Sequence, residues 1–529
     1  MNIKIHSRQS IEELLQLGFP ENTALIRFYD VELMRENSKF KPVSFHDNVQ
    51  RIFQLPLMDL DMDELKYYDF AYETFFTEAD ELAEFIYSAV SDDLDILCQC
   101  EYGQSRSAGC AAAILECFEG NGISIFSDYR YYPNKIVYHK LLDALKKYGK
   151  VELIDGQRFL IRDGELKKFL GNDKKVTVPE SVTRISFDAF RNCSELEELV
   201  ISKNVEDLYG KCFEDCINLK SIFVDERNTH YDSRNNCNAV IKSRANELVL
   251  GCINTVIPDT VVRINDFAFS ECPSKVIFPE NVMSIGLMAF SGCSNLEELF
   301  IPYNTTEIDN MSFFVCSNIK RIVVDSANEM YDSRNECNAI IETAINKLIV
   351  GCNNTVIPED ICIIESEAFA YLNGLMDIRI PENVVFIDEN AFLMCNNIES
   401  INVDKKNLRY DSGDNCHAII DKLENKLVLG CKNTVIPNGL KIIGQKSFED
   451  CKGLERITIP DCVEKIECQA FGSCNNLTEI TIPKSVSKIE IAAFSKCEKL
   501  TINCYSGSYA EEYAKENDIK FKLIDGERS

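Results

Sequence analysis

One short segment places a cysteine, a glycine, an arginine and a serine at close spacing: Cys100-Glu101-Tyr102-Gly103-Gln104-Ser105-Arg106-Ser107. The apolar run before it and the small residues after it predict a strand, a short loop and a helix. Backbone N–H groups at the start of a helix bind anions, and the helix dipole lowers the pKa of a cysteine beside it. Arg106 offers a bidentate fork for phosphate, and Gly103 permits a tight turn. The segment therefore predicts a thiolate nucleophile in a cradle for a phosphate group.

The pattern Cys-x-x-Gly-x-x-Arg-Ser resembles the signature loop of the cysteine-based protein tyrosine and dual-specificity phosphatases. The resemblance covers about residues 1–150, including the helical segment that starts at Pro133. It implies that Cys100 attacks phosphorus to form a phosphocysteine, and that Ser107 assists release of the thiolate. The phosphate-binding residues that it implies are Glu101, Tyr102, Gly103, Gln104, Ser105 and Arg106.

The same resemblance implies an aspartate as general acid, after a strand that precedes the cysteine. Here the apolar segment 52–58 is followed by Asp59, Asp61 and Asp63. We expect Asp59 to be the acid. Asp61 is the alternative, because spacing alone does not choose between the two. At most one of these aspartates is catalytic, and the others belong to a solvated acidic loop.

The chain departs from the family pattern immediately before the cysteine, where Gln99 stands in place of the usual histidine. Glutamine can form hydrogen bonds but carries no charge. A carboxylate close to the thiol, as Glu101 could be, raises the pKa of that thiol. These two residues leave a second hypothesis open, in which the loop binds phosphorylated partners and turns over poorly.

Alternating strand-like and helix-like segments in residues 1–152 predict an α/β phosphatase-type domain, with a central sheet flanked by helices. The predicted strands span 23–29, 50–57 and 94–98, and the predicted helices span 10–16, 77–90, 107–118 and 134–147. Capping boxes are expected at Ser10 with Glu13 and at Thr77 with Asp80.

After about residue 175 the sequence repeats the unit Ile-Pro-x-x-Val-x-x-Ile-x-x-x-Ala-Phe-x-x-Cys-x-x-Leu-x-x-Ile. Most gaps between its phenylalanines are 23 residues, one is 21, and three are 56 because each holds a homologous insert. The phenylalanines are Phe190, Phe213, Phe269, Phe290, Phe313, Phe369, Phe392, Phe448, Phe471 and Phe494. The inserts begin at Tyr231, Tyr331 and Tyr410.

A period near 23 with regularly spaced Leu and Ile lies in the range of leucine-rich repeats, whose units must stack to bury their apolar faces. The unit resembles the BspA-like class of these repeats. We expect a junction and N-terminal cap at 153–178, a β-rich solenoid with three inserts at 179–504, and a C-terminal capping segment at 505–529. One cysteine recurs in each unit, and Leu372 replaces it once, which favours a buried core column over metal ligands.

The net charge of −29 argues against nucleic acid or an anionic membrane as partner. No apolar run is long enough to span a bilayer, and the first residues lack a secretory signal, so we expect a cytoplasmic protein. In that setting the pairs Cys237/Cys252, Cys337/Cys352 and Cys416/Cys431 are expected to stay reduced. No nucleotide loop, calcium loop or zinc-like spacing occurs, and we expect neither a cofactor nor a metal.

The main hypothesis is a protein phosphatase that acts on phosphotyrosine, or on phosphoserine and phosphothreonine, with repeats that bind a protein partner. The phosphate-binding protein with weak turnover is the first alternative. The second alternative is an adhesin-like surface protein, in which the repeats carry the function.

Overall fold

The computed structural model describes residues 2–30, 49, 51–68, 70–154, 156–269, 275–413 and 416–524. Two compact units are present: Met1–Asp173 with Pro179–Phe190, and Lys174–Val178 with Arg191–Ser529. Position 50 of the second predicted strand lies outside the described residues, as does the end of the C-terminal segment.

A parallel four-stranded sheet lies at the centre of the first unit, in the order β1-β4-β2-β3. Its strands are β1 (Ile3–His6), β2 (Thr23–Tyr29), β3 (Arg51–Pro56) and β4 (Asp95–Gln99). Three of them match the predicted strands, and β1 is an additional strand. Because β4 is an inner strand, paired on both sides, the loop that follows Gln99 starts from a fixed backbone position.

Helices flank this sheet, and the four predicted helices are all present. The helices are α1 (Arg8–Leu17), α2 (Met62–Tyr67), α3 (Ala79–Ser91), α4 (Arg106–Glu119), α5 (Ile123–Phe126) and α6 (Lys135–Tyr148). The first half of α4 is buried and consists mostly of small residues. Gly109 is the point where α4 comes closest to the backbone of Asn134. A Cβ at Gly109 would lie 2.5 Å from the Asn134 carbonyl oxygen.

Both predicted capping boxes are wrong. Ser7, not Ser10, caps α1, because the helix begins at Arg8 and the Ser7 hydroxyl accepts the Ser10 backbone N–H at 3.2 Å. Helix α3 begins after Glu78 without a side-chain cap. The capping box of this unit is formed instead by Asp61 and Glu64 at the start of α2.

A second sheet follows α6 in the first unit, in the order β5-β6-β7-β9. It consists of β5 (Lys150–Ile154), β6 (Gln157–Arg162), β7 (Glu165–Phe169) and β9 (Arg184–Ile185), while the intervening β8 (Lys175–Thr177) belongs to the second unit. The β6–β7 pair carries a bulge between Leu160 and Ile161.

The second unit is a solenoid of short strands. In chain order they are β10 (Glu198–Ile201), β11 (Ser221–Val224), β12 (Tyr231–Asp232), β13 (Ala239–Lys242), β14 (Glu247–Gly251), β15 (Arg263–Ile264), β16 (Lys275–Ile277), β17 (Ser284–Ile285), β18 (Glu298–Ile301), β19 (Glu307–Ile308), β20 (Arg321–Val324), β21 (Tyr331–Asp332), β22 (Ile340–Glu342), β23 (Lys347–Val350), β24 (Ile363–Ile364), β25 (Asp377–Ile380), β26 (Phe386–Ile387), β27 (Ser400–Val403), β28 (Tyr410–Asp411), β29 (Ala418–Asp421), β30 (Lys426–Gly430), β31 (Ile442–Ile443), β32 (Arg456–Thr458), β33 (Lys465–Ile466), β34 (Glu479–Thr481), β35 (Lys488–Ile489), β36 (Thr501–Cys504) and β37 (Lys520–Leu523), with one helix, α7 (Tyr509–Glu516). Parallel neighbours pair residues one repeat apart, as Leu299 does with Ile322. Helix α7 and β37 follow the last repeat, and β37 pairs with β36.

The repeat phenylalanines form stacked columns in the core of the solenoid. Phe448 and Phe471 stack at 5.0 Å between ring centroids, and Phe471 and Phe494 at 5.3 Å. The repeat cysteines lie beside them as thiols. Cys474 Sγ, for example, donates to the Phe448 carbonyl oxygen at 3.0 Å. A thiol that both packs and donates to the preceding repeat explains why cysteine recurs at this position.

Each insert is a β-hairpin that begins with a buried tyrosine. The hydroxyls of Tyr231, Tyr331 and Tyr410 accept the backbone N–H groups of Leu208, Ile308 and Ile387 at 3.0–3.2 Å. All three hairpins, β13–β14, β22–β23 and β29–β30, carry a bulge at the same place. The β6–β7 hairpin has this bulge too, so the junction segment resembles a fourth insert without the tyrosine. The insert cysteines are free thiols.

Candidate functional site

The predicted nucleophile loop spans 100–105, between the end of β4 and the start of α4. Cys100 is almost completely buried at its base. Its sulfur lies 3.1 Å from the hydroxyl oxygen of Ser107, in the first turn of α4. The loop thus brings together the two residues whose roles the phosphatase resemblance implies.

Gly103 holds the loop against the start of α1. Its φ of 68° lies in the left-handed region, and a Cβ there would lie 2.6 Å from the Ser7 backbone nitrogen. Glu101 is fixed on the same side, because its carbonyl accepts the Arg8 N–H at 3.1 Å. Only glycine fits this turn without moving one of the two segments.

Carbonyl groups of the loop accept hydrogen bonds from neighbouring segments, whereas its backbone N–H groups donate none to the described residues. The carbonyl oxygens of Gln104 and Ser105 accept the backbone N–H groups of Tyr132 and Asn134 at 2.9 and 3.1 Å. Among the described residues, no amide of 101–105 donates a hydrogen bond. Ser105 also gives α4 no side-chain cap. Unused amides at a helix start form an anion site, to which Glu101, Tyr102, Gly103, Gln104 and Ser105 would each contribute an N–H.

Arg106 lies at the start of α4 with a side chain that is only 2% exposed. One terminal nitrogen donates to the Leu57 carbonyl oxygen. Its Nε has no hydrogen-bond acceptor within the described part of the chain and lies 3.5 Å from Asp59 Oδ2. A buried guanidinium with an unused donor is suited to bind an oxyanion at this point.

The structure separates the three candidate aspartates. Asp59 reaches the loop: its Oδ1 accepts the Ser105 hydroxyl at 2.6 Å and the Asn134 amide at 3.1 Å. Asp61 instead caps α2 by accepting the backbone N–H groups of Asp63 and Glu64. Asp63 is exposed in the first turn of α2. Of the three, Asp59 is the one placed beside the nucleophile loop.

Gln99, the departure from the family pattern, and the neighbouring Glu101 each contact a nearby group. The Gln99 amide donates to the Cys100 carbonyl oxygen at 2.8 Å, so it supports the first residue of the loop. Its buried Oε1 has no partner among the residues described. The Glu101 carboxylate lies 3.8 Å from the Arg8 guanidinium, which offsets its negative charge.

Sequence reasoning missed Asn134, which contacts both Asp59 and the end of the loop. The Pro-Asn pair before a helix identifies a cap, and Asn134 does cap α6. Its second contact spans 75 residues and leaves no local signal.

Two further cysteines lie beside the loop in buried positions. Cys98 and Cys110 are fully buried, with sulfurs 3.8 Å apart. Burial raises the pKa of Cys110 well above its ordinary value, so it stays a thiol. In the ranges that the structure describes, no cluster of His, Cys, Asp and Glu could hold a metal ion. No described helix is both long and apolar enough to cross a membrane.

The chain is similar to several solved structures. A leucine rich cell surface protein from Faecalibacterium prausnitzii is 21% identical, with a TM-score of 0.39 over 71% of this chain and 98% of that chain. A leucine-rich repeat protein from Eubacterium ventriosum is 19% identical, with a TM-score of 0.36 over 65% and 94%. One from Bacteroides ovatus is 21% identical, with a TM-score of 0.29 over 71% and 98%. No curated protein matches the chain.

These solved structures are of leucine-rich repeat proteins, and they provide no support for the phosphatase hypothesis. A family model, described as the BspA type leucine rich repeat region, matches in six copies over residues 168–237, 240–349, 341–426 and 426–515. The match confirms the repeat class expected from the Ile-Pro and Ala-Phe-x-x-Cys pattern. Because the matched segments cover more than half of its length, the chain belongs to the family of BspA-type leucine-rich repeat proteins.

Proposed function

We propose that the first unit hydrolyses a phosphate monoester through a covalent intermediate on Cys100. The observation that carries the proposal is the position of the Cys100 sulfur, 3.1 Å from Ser107 Oγ, at the base of a loop whose amides are unused. Arg106 and Asp59 complete the set at the same loop. The reaction needs a nucleophile, an anion cradle and an acid, and in this proposal these residues supply them.

In the first step the Cys100 thiolate attacks phosphorus. The S–P bond forms as the bond from phosphorus to the leaving oxygen breaks, and that oxygen takes a proton from Asp59. Arg106 and the amides of 101–105 hold the non-bridging oxygens, where negative charge is concentrated in the transition state. The alcohol or phenol leaves, and Cys100 carries the phosphoryl group.

In the second step water attacks the phosphocysteine. Asp59, now a carboxylate, accepts a proton from the water as the S–P bond breaks and its electron pair returns to sulfur. The Ser107 hydroxyl donates to the departing thiolate at the 3.1 Å contact. Inorganic phosphate is released, and the starting state is restored.

The proposed substrates are phosphotyrosine, or phosphoserine and phosphothreonine, in a protein, and the proposed compartment is the cytoplasm, where Cys100 stays reduced. The full-length chain should release phosphate from phenyl phosphate, and Cys100→Ser should release none. Cys462→Ser, on a half-buried cysteine of the second unit, serves as control and should behave as wild type. Equal phosphate release by wild type and Cys100→Ser would reject the proposed phosphatase activity.

A second candidate is a phosphate-binding protein without turnover, and Gln99 favours it because it brings no positive charge to the loop. This candidate predicts that Cys100→Ser and wild type bind a phosphopeptide equally and hydrolyse none.

For the repeats, we propose protein binding. The outer face of β16, β18 and β20 supports this, since Ile277, Phe300 and Val323 lie side by side in register, with Ile277 58% and Phe300 37% exposed. The adhesin-like alternative follows from the same repeats, and a protein of similar fold is named a cell surface protein. Fractionation of the native cells decides between the two: surface exposure favours the adhesin, and a cytoplasmic location favours the phosphatase with a partner-binding solenoid.

A further inference from the structure

We propose that Asn134 is a positioning residue that determines which oxygen of Asp59 carries the catalytic proton. The inference rests on the proposed function, in which Asp59 protonates the leaving group. Its basis is the set of hydrogen bonds that joins the Asp59 segment, the end of the nucleophile loop and the start of α6.

Two hydrogen-bond donors converge on one oxygen of Asp59. Oδ1 accepts the Ser105 hydroxyl at 2.6 Å and the Asn134 amide Nδ2 at 3.1 Å. The other oxygen, Oδ2, lies 3.5 Å from Arg106 Nε, which is the side where the phosphate would bind. Arg106 is the charged group that the structure places within 4 Å of this carboxylate, among the residues described.

An amide nitrogen donates and cannot accept. Asp59 Oδ1 must therefore be an acceptor toward Asn134, and a proton on Oδ1 would face that amide hydrogen. Oδ2 accepts no hydrogen bond from the described residues, since Arg106 Nε at 3.5 Å makes none, so when Asp59 is protonated the proton is held on Oδ2. It then faces the phosphate side of the carboxylate, where the leaving oxygen must receive it.

Asn134 is itself fixed in the orientation that this role requires. Its side-chain oxygen accepts the Val137 N–H at 3.0 Å as the cap of α6, and Nδ2 also donates to the Leu60 carbonyl oxygen at 2.8 Å. A flipped amide would place its oxygen against two acceptors, Asp59 and Leu60, and would lose the cap. The residue is only 6% exposed, so water does not replace these bonds readily.

Asn134→Asp in the full-length chain tests the inference. The variant keeps the side-chain size and the cap, but it presents an acceptor to Asp59 Oδ1. We expect kcat for phenyl phosphate, whose leaving group has a pKa of about 10, to fall about tenfold or more. For an aryl phosphate with a strongly electron-withdrawing leaving group, which needs little protonation, kcat should change less than about threefold. KM should stay the same for both substrates.

The pH profile gives a second readout that a purely structural role would not move. At acidic pH the carboxyl of the Asn134→Asp variant is protonated and can again donate to Asp59, so phenyl phosphate activity should recover relative to wild type as pH falls. Asn134→Ser, which keeps a cap but has no group long enough to reach Asp59, should show the leaving-group effect without this recovery. Asn134→Ser carries the same test if Asn134→Asp does not fold.

A matched control exists in the same unit. The Asn2 amide donates to the Asp95 carboxylate at 3.2 Å, on the exposed surface, so Asn2→Asp breaks the same kind of bond elsewhere. It should leave both substrates unaffected. Equal losses for both substrates in the Asn134 variants, or no loss, would overturn the inference while wild-type activity upholds the proposed function. A wild type no better than Cys100→Ser would reject both.

Discussion

The Ser105 hydroxyl donates to Asp59 Oδ1 at 2.6 Å, although 46 residues separate the two in the chain. Ser105 stands at the N-cap position of α4 and yet makes no cap. Its hydroxyl is used to hold an acidic group over the nucleophile loop, which leaves the first amides of α4 available for an anion. The helix start thus lacks a side-chain cap, and in the proposed function its amides bind the phosphate instead.

Gly103→Ala should abolish activity and destabilise the first unit. The new Cβ would lie 2.6 Å from the Ser7 backbone nitrogen, and alanine at a φ of 68° is strained by about 1–2 kcal/mol. Urea unfolding and phosphate release measure the two effects. Gly120→Ala is the matched control, because its φ is 66° but its Cβ would meet no atom within 4 Å. If Gly120→Ala loses as much activity as Gly103→Ala, the contact with Ser7 is not the cause.

Ser107→Ala should slow the second half of the reaction more than the first. The hydroxyl 3.1 Å from the Cys100 sulfur stabilises the thiolate as it leaves phosphorus, and loss of one such donor slows a step by about 10²–10³. We expect a burst of phenol release followed by slow turnover in rapid-mixing experiments. Ser88→Ala, on the exposed face of α3, should show wild-type kinetics. Slow turnover without a burst would place the effect on the first step instead.

The solenoid should lose stability at alkaline pH through its buried thiols. Burial raises the pKa of Cys451 from 9.0 to about 12. Between these values the unfolded chain has lost the proton that the folded chain retains, so the free energy of unfolding falls as pH rises. The slope is about 1.4 kcal/mol per pH unit for one such group.

Urea unfolding of wild type and Cys451→Ala from pH 7 to 11 measures this contribution. The variant should be less stable at pH 7, but its stability should decline less steeply above pH 9. Cys462→Ala, on a half-buried cysteine, provides the comparison. Parallel pH curves for wild type and Cys451→Ala would show that this thiol does not contribute.

Tyr331→Phe should destabilise the solenoid at the second insert. The change leaves the Ile308 backbone N–H, now bonded to the tyrosine hydroxyl at 3.1 Å, without an acceptor. A buried donor left without an acceptor costs about 1–3 kcal/mol, and the partly buried Ile308 N–H should cost about 1 kcal/mol, at the low end of that range. Thermal unfolding of the variant should show this loss, whereas Tyr303→Phe, on a residue that is 42% exposed, should unfold as wild type does. Equal stability of the two variants would show that the Tyr331 hydroxyl does not stabilise the solenoid.

Local features of this protein can be predicted from its sequence. The loop from Cys100 to Ser107 is continuous, so the strand, turn and helix around it follow from the order of residue types. The repeat is equally direct, because each unit packs on the next one along the chain, as the stacked rings of Phe448 and Phe471 do. The inserts are recognisable because the same tyrosine begins each of them.

Tertiary structure decided what depends on distant residues. Asp59 and Asp61 are equivalent in the sequence, and only the fold directs one to Ser105 and the other to the cap of α2. Asn134 joined the candidate site through contacts that span 75 residues, and Gly103 through its packing against Ser7. The expected cap at Ser10 was wrong for a local reason, because α1 begins at Arg8, directly after its cap Ser7. Side-chain type and period determine which elements form, whereas the approach of distant segments selects the groups that can act together.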